Sequence, residues 1–440
     1  MKRIILITTM LIMLANSVSL PDYSRIEPEV DRFKSETGCN SVSVVIYDHG
    51  EMTYYGDAKV LYQIGSMTKS FTGLAVEQLI NSGSISEDDT VAELVPGFTA
   101  YYDSSAVDIT IRNLLMQQSG FTNSETDYPS AAEDMSLAEW AEEISGRELK
   151  SYPGTEYSYS NVNYNLLGLV IENVSGKPYR EYMEEQVLQP LGLHSTTVGI
   201  PADGEHVIPG TRLGFRKAFE YDIPVREGSI PAGYFYSDAE DIGIWMSAWI
   251  KAEYPEMNEI ISHLDEEGDY YAGWERFDGD TIGHSGGTPN YSSRIVFSQS
   301  KEIGVCVLTN LNVAASTDSL CNNIFAEIAG YDHGDLSCDV WTVFDIIFTS
   351  VSAICSVILL VVAFMKKKGV LIGIGSALAL LLVLVLILFP VIFGAGIREI
   401  ALVWAPWSFL TGMIIMAADV VLAAVKYCMV KVNEGRKKTG

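Results

Sequence analysis

The chain has 440 residues, 48% of them hydrophobic, with 29 Lys+Arg against 56 Asp+Glu. Its formal charge of −27 understates the asymmetry: residues 341–440 hold nine basic and four acidic side chains, leaving 20 basic against 52 acidic upstream, a balance of −32. A field of that sign repels nucleic acid and other anionic polymers and disfavours nucleic-acid binding as a function.

The first nineteen residues place Lys2 and Arg3 before an apolar run from Ile4 to Leu14, with small residues at Ser17 and Ser19. This layout predicts a signal peptide over 1–19, the alternative being an anchor that is never cut. On both readings the segment that follows, residues 20–335, is extracytoplasmic.

Residues 41–47 and 52–55, joined by Asp48-His49-Gly50, predict an antiparallel hairpin. Ser292 to Phe297 and Ile303 to Leu308, joined by a polar turn, predict a second strand pair. Between them the periodicity predicts helices over 66–82, 110–118, 137–144, 163–174, 179–187 and 237–250. The expected fold class is therefore α+β, an antiparallel sheet built from both ends of the domain around an inserted all-helical subdomain. The junction of sheet and insert is the expected cleft. Tyr62, Tyr101, Tyr102, Tyr234 and Tyr291 are candidates to shape it.

Beyond a polar juncture at 332–339, apolar runs over roughly 341–365, 370–393 and 400–425 predict three transmembrane helices, each long enough to cross about 30 Å of hydrocarbon. Lys366, Lys367 and Lys368 after the first run, and the basic tail 426–440 after the third, place those ends in the cytoplasm. Trp404 and Trp407 suit an interfacial aromatic belt. Asp419 inside the third run is either a functional group or a carboxyl reaching Lys426. The spans read as a membrane anchor or a surface for oligomer assembly. Cys39, Cys306, Cys321 and Cys338 lie outside them without metal-ligand spacing, and four cysteines leave three pairings open. No metal and no cofactor is expected.

Three short motifs carry chemistry. Gly65-Ser66-Met67-Thr68-Lys69 opens an apolar helix, so Ser66 sits at its first turn and Lys69 falls beside it three residues on. A serine hydroxyl needs a neighbouring base to become a nucleophile, and a desolvated lysine is one. Alone, S-x-x-K is also a helix cap and a surface lysine. Tyr159-Ser160-Asn161 precedes a second apolar helix, and His284-Ser285-Gly286-Gly287 precedes the second strand pair.

In this order the three motifs resemble the class C β-lactamase and D-alanyl-D-alanine carboxypeptidase family of penicillin-recognising serine hydrolases. The resemblance runs over residues 30–330, through IGSMTKSFTGLAVEQL, ITIRNLLMQQSGF, YPGTEYSYSNVNYNLLGLVIE, QPLGLHST and IGHSGGTPNYSSRIVF. It implies a β-lactamase/transpeptidase-like fold in which Ser66 forms an acyl-enzyme while Lys69 and Tyr159 exchange protons with it. It further implies that Asn161, His284, Ser285, Gly286 and Gly287 bind substrate, the backbone N–H groups of Ser66 and Gly287 forming the oxyanion hole. For Tyr159 to act as base, Lys69 must lower its pKa.

Two positions depart from the family pattern. His284 replaces a lysine, and Gln117-Gln118-Ser119-Gly120 replaces His-Thr-Ser-Gly. Histidine at 284 argues against efficient β-lactam turnover and implies pH-dependent recognition, while the Ser285 hydroxyl remains to bind a substrate carboxylate or carbonyl. The expected substrate is a small peptide, amide or ester, first of all a peptide containing a D-residue. The layout of one hydrolase domain before three spans resembles prodrug-activating peptidases that remove an acyl-D-amino-acid cap. An esterase, a weak β-lactamase and a non-catalytic penicillin-recognising sensor are the alternatives.

Overall fold

In the computed structural model, residues 26–439 are described apart from 125–126, 203–205, 267 and 333, and the expected signal peptide over 1–19 lies outside the described residues. Strands β1 (Val42–Asp48), β2 (Glu51–Tyr55), β3 (Tyr270–Tyr271), β4 (Trp274–Arg276), β5 (Thr281–Thr288), β6 (Tyr291–Ser298) and β7 (Ile303–Thr309) form one sheet. Their order is β3-β4-β5-β6-β7-β1-β2, with antiparallel pairing throughout. The first hairpin of the chain thus completes a sheet whose other strands lie more than 200 residues away, as the α+β expectation required.

Alternation along the strands divides the core. Val45 and Tyr47 of β1 join Ile295, Phe297, Cys306 and Leu308 on the face that meets the helical insert. Val44 and Ile46 join Val296, Val305 and Val307 on the other face, against helix α1 (Ile26–Thr37) and a C-terminal helix, Ala314–Ala329. Both faces are buried, so these strands read as near-continuous apolar runs although the sheet is antiparallel. Within the insert, α2 (Thr68–Asn81) and α3 (Asn161–Ser175) pack on each other and bury most of their residues.

Val340–Phe364, Lys368–Phe393 and the Trp407–Glu434 part of a helix ending at Thr439 are long and apolar enough to cross a membrane. The third apolar run, read from the sequence as continuous from residue 400, divides at Pro406. Proline disfavours helical backbone at the residue before it, and Ala405 is extended, with φ −72° and ψ 153°. Residues 397–404 consequently form a separate short helical segment. Asp419 is buried beside Cys355 of the first span and makes no ion pair with Lys426. All six cysteines are free.

The domain that carries the seven-stranded sheet rests directly on these helices. A hairpin, Thr211–Gly214 with Lys217–Glu220, turns through Phe215 and Arg216 at φ 51° and 63°. Two consecutive positive φ values suit Asn-Gly and cost non-glycine residues free energy. Here the turn is held because Phe215 and Arg216 donate their N–H groups to the carboxylate of Asp345 in the first span, at 2.8 and 2.7 Å. Asp345 also accepts from Ser408 Oγ at 2.6 Å. Beside it the guanidinium of Arg212 is 2% exposed and donates to the carbonyls of Ala405, Leu402 and Ala401 at 2.5, 2.8 and 2.7 Å. Its plane packs 4.2 Å from the Trp407 ring. Three donors in a fixed fork suit a helix end whose carbonyls lack partners.

Candidate active site

Ser66 lies in a tight turn, Gly65–Met67, that leads into α2. The turn requires glycine at 65. Its φ is +52°, and a Cβ there would stand 2.5 Å from the backbone nitrogen of Gly287 on β5. Gly286 is equally constrained, since a Cβ would overlap the Ile64 carbonyl, whereas one at Gly287 would meet nothing within 4 Å. The Ser66 turn and the third motif therefore touch through glycine backbone, and Gly287 faces open space.

Lys69, one helical turn on, is fully buried. Its Nζ lies 3.0 Å from Ser66 Oγ, 2.7 Å from Asn161 Oδ1 and 2.6 Å from the Ala232 carbonyl. Among the described residues no carboxylate pairs with it, and burial lowers its pKa well below the usual lysine value. Two carbonyl acceptors take two N–H bonds. In the neutral amine the lone pair is left for the third neighbour, the Ser66 hydroxyl. Thr72 Oγ1 donates to the Pro231 carbonyl at 2.8 Å and so fixes the segment that offers Ala232.

The Tyr159 hydroxyl interacts with Ser66, and Lys69 Nζ stands 4.9 Å from the tyrosine ring centre. Burial raises the Tyr159 pKa, the Ser66 contact opposing it only in part. The lowered pKa required of a tyrosine base is thus not found, because desolvation of the phenol outweighs the Ser66 contact. Gln117, read from the sequence only as a departure, builds this corner. Its Oε1 accepts from Ser160 N at 2.9 Å and from Asn163 Nδ2 at 2.5 Å, and its carbonyl accepts from Ser158 N at 2.8 Å. Ser119 Oγ donates to Asn163 Oδ1 at 2.5 Å.

The third motif lies within a strand, where the sequence suggested a loop before one. Period-two alternation then separates its side chains. His284 faces the helical insert, with ring centres 6.2 and 5.9 Å from Tyr159 and Tyr270. Its Nδ1 meets the Ser285 carbonyl at 2.6 Å, so Nδ1 carries the proton, and its buried Nε2 has no partner. Burial, with the neighbouring Lys69 and Arg294, depresses its pKa to about 3. His284 is neutral across ordinary pH, which removes the pH-dependent recognition expected of it. Ser285 points to the opposite face, donating to Asp318 Oδ1 and accepting from Arg294 Nη1, both at 2.8 Å. Its hydroxyl is therefore not available to a substrate carboxylate.

Ser66 opens into a cleft of about 640 Å³ whose lining includes Asn161, Tyr234, Gly287 and, from the segment between the second and third spans, Glu399, Val403 and Trp404. Of the candidate tyrosines only Tyr234 lines it. Tyr62 is buried with its hydroxyl on Ser41 and Ser43, Tyr291 bonds the Ile208 carbonyl, and Tyr101 and Tyr102 pair with 105–107. Glu399, Val403 and Trp404 were missed because nothing in their sequence signals that their segment is held by Arg212 and Tyr221, 181–193 positions upstream.

The arrangement defines a class: a serine at a helix start, a buried lysine on it and a tyrosine closing the triangle, between an antiparallel sheet and a helical insert. The chain belongs to the beta-lactamase family, which it matches over residues 26–324. It is 30% identical over 264 residues to protein flp of Staphylococcus aureus, covering 57% of this chain and 53% of that one. It is likewise 30% identical over 202 residues to a putative D-alanyl-D-alanine carboxypeptidase of Escherichia coli, covering 38% and 46% of the two chains. The chain thus spans about half the length of these relatives. A D-stereospecific amidohydrolase from a Streptomyces species shares the fold, with a TM-score of 0.58 at 23% identity over 71% of this chain and 100% of its own.

Proposed function

We propose that the chain is a membrane-anchored serine hydrolase that acts through an acyl-enzyme on peptides or amides containing D-residues. The observation that supports this most is the 3.0 Å approach of Lys69 Nζ, buried and without a carboxylate, to Ser66 Oγ. Likeness to a putative D-alanyl-D-alanine carboxypeptidase and to a D-stereospecific amidohydrolase favours D-residues in the substrate.

The neutral amine of Lys69 takes the hydroxyl proton as Ser66 Oγ bonds to the substrate carbonyl carbon. The oxyanion that forms sits between the N–H groups of Ser66 and Gly287. Donors fixed in advance stabilise charge that appears only in the transition state. Asn161 keeps Lys69 aimed and offers its amide to the substrate. Tyr159, neutral and beside Ser66, passes a proton to the leaving nitrogen as the C–N bond breaks. Lys69 then returns the proton to Tyr159, which resets both groups, and water attacks the ester, giving a proton to Lys69 that passes to Ser66 Oγ as the acyl C–O bond breaks.

The three apolar helices are the anchor. With the basic clusters inside, the hydrolase domain is extracytoplasmic and the C-terminus cytoplasmic in a multi-pass cell-membrane protein. The substrate class is tested by incubating full-length wild type and Ser66→Ala in lipid nanodiscs with matched L- and D-residue peptides and amides, reading products by mass. Cleavage of the D-series by the wild type alone is expected. Cleavage confined to the L-series or to simple esters would overturn the substrate assignment.

A further inference from the structure

The cleft of Ser66 is walled in part by the segment 397–404, which belongs to the membrane portion of the chain. This contact is built. Arg212 holds the carbonyls of Ala401, Leu402 and Ala405, and the Tyr221 hydroxyl donates to Leu402 at 2.9 Å. Trp404 Nε1 donates to Glu399 Oε1 at 3.2 Å, so the carboxylate is oriented by a neighbour that lines the same cleft. Asp222, next to Tyr221, lines it as well.

Two carboxylates, Asp222 and Glu399, thus face one guanidinium, Arg226, among the described lining residues. The groups expected to receive a substrate anion at the third motif are withdrawn: His284 is buried and uncharged, and Ser285 is bound to Asp318 and Arg294. The 52 acidic against 20 basic residues upstream of the spans add a long-range field of the same sign. A cleft with low-dielectric walls focuses such a field on whatever enters it.

We infer that Glu399, carried to the cleft by the membrane segment, is a specificity-determining residue that favours substrates bearing a positive charge, such as a free amine near the scissile bond, over anionic ones. The inference rests on the hydrolase reading for the identity of the cleft. It gives the membrane portion a part in substrate choice beyond anchoring.

The test uses the full-length chain in lipid nanodiscs and three D-alanine p-nitroanilides that differ only at the amine: free, acetyl-capped and succinyl-capped. The wild type should prefer the free amine to the succinyl compound in kcat/KM by at least about tenfold at low salt, the scale of one charge contact near a protein surface. The preference should shrink as salt screens it. Glu399→Gln should reduce the ratio, and Glu399→Lys should bring it to one or below. A wild type that prefers the succinyl compound, or a ratio unmoved in both variants, would overturn the inference. If no compound is cleaved, the hydrolase reading fails first. Calorimetric binding of the same three compounds to full-length Ser66→Ala then reads the charge order by itself, and equal affinities there would sink the role of Glu399.

Discussion

Lys69 Nζ and Asn161 Oδ1 lie 2.7 Å apart, and the amide oxygen brings no charge to the lysine. Burial therefore acts on Lys69 unopposed and lowers its pKa. A carboxylate at position 161 would reverse this, because an opposite charge within about 4–6 Å favours the charged form by about 1–3 pKa units. Asn161→Asp should move the acid limb of the pH–rate profile up by that amount. Lys69→Arg, which cannot deprotonate, should lose about 10²–10⁴-fold in rate. The profile of kcat/KM for the wild type and both variants checks this, and an acid limb that ignores Asn161→Asp would contradict it.

His284 should contribute no inflection between pH 5 and 8. With its folded pKa near 3, it is neutral throughout that window, so a limb seen there belongs to another group. A His284→Asn variant should leave the position of the limb where it was. A limb that disappears would show that the imidazole titrates.

Glu77, on the far part of α2, is 2% exposed, and its pKa is raised to about 8, first by burial and then by Glu87. Tyr271, Glu256 and Glu259 also face it, and His263 lies 3.2 Å from Glu87, which Arg112 pairs on its other oxygen. Between about pH 4.5 and 8 the folded state holds a proton that the unfolded state has lost, so stability falls as pH rises through that window. Thermal melts at pH 6 and pH 9 should show this loss in the wild type and a smaller one in Glu77→Gln. Equal slopes would contradict the buried, protonated carboxyl.

Gly65→Ala should cost about 10²–10³-fold in activity, the scale of losing one oxyanion donor, because the added methyl must push the Ser66 turn and β5 apart. Gly287→Ala, whose methyl meets nothing, should melt like the wild type. If Gly65→Ala kept full activity, the close approach of the two backbones would be wrong.

Arg212→Leu should remove a donor from the carbonyls of Ala401, Leu402 and Ala405, of which Leu402 keeps the Tyr221 hydroxyl, at about 1–3 kcal/mol for each carbonyl left unsatisfied. The melting midpoint of the full-length chain in nanodiscs should fall by several degrees, at roughly 2–4 °C per kcal/mol for a large domain. An unchanged midpoint would mean that the hydrolase domain does not dock on the spans as described.

Much of this was legible because it is local. The runs 41–47, 292–297 and 303–308 announce strands through β-branched and aromatic residues, and Ser66-x-x-Lys69 places two side chains one helical turn apart by spacing alone. What escaped depends on distant partners. His284 to Gly287 reads as a loop because of its glycines, and becomes a strand through pairing with Ser292 to Ile295. Once it is a strand, alternation sends Ser285 away from the cleft, which no motif reveals. The Phe215-Arg216 turn has none of the usual turn residues, and its N–H groups are taken by Asp345, 130 positions away. Glu399 and Trp404 look like membrane-interface residues until Arg212 brings their segment to the cleft.

The central claim is that Lys69 makes Ser66 a nucleophile. Intact-mass spectrometry of the full-length chain, wild type, Ser66→Ala and Lys69→Arg, after exposure to a penicillin and to a fluorophosphonate, tests it most directly. A single covalent adduct on the wild type, absent from Ser66→Ala and strongly slowed in Lys69→Arg, is the result expected. An unmodified, folded wild type, or labelling that survives Ser66→Ala, would contradict the account.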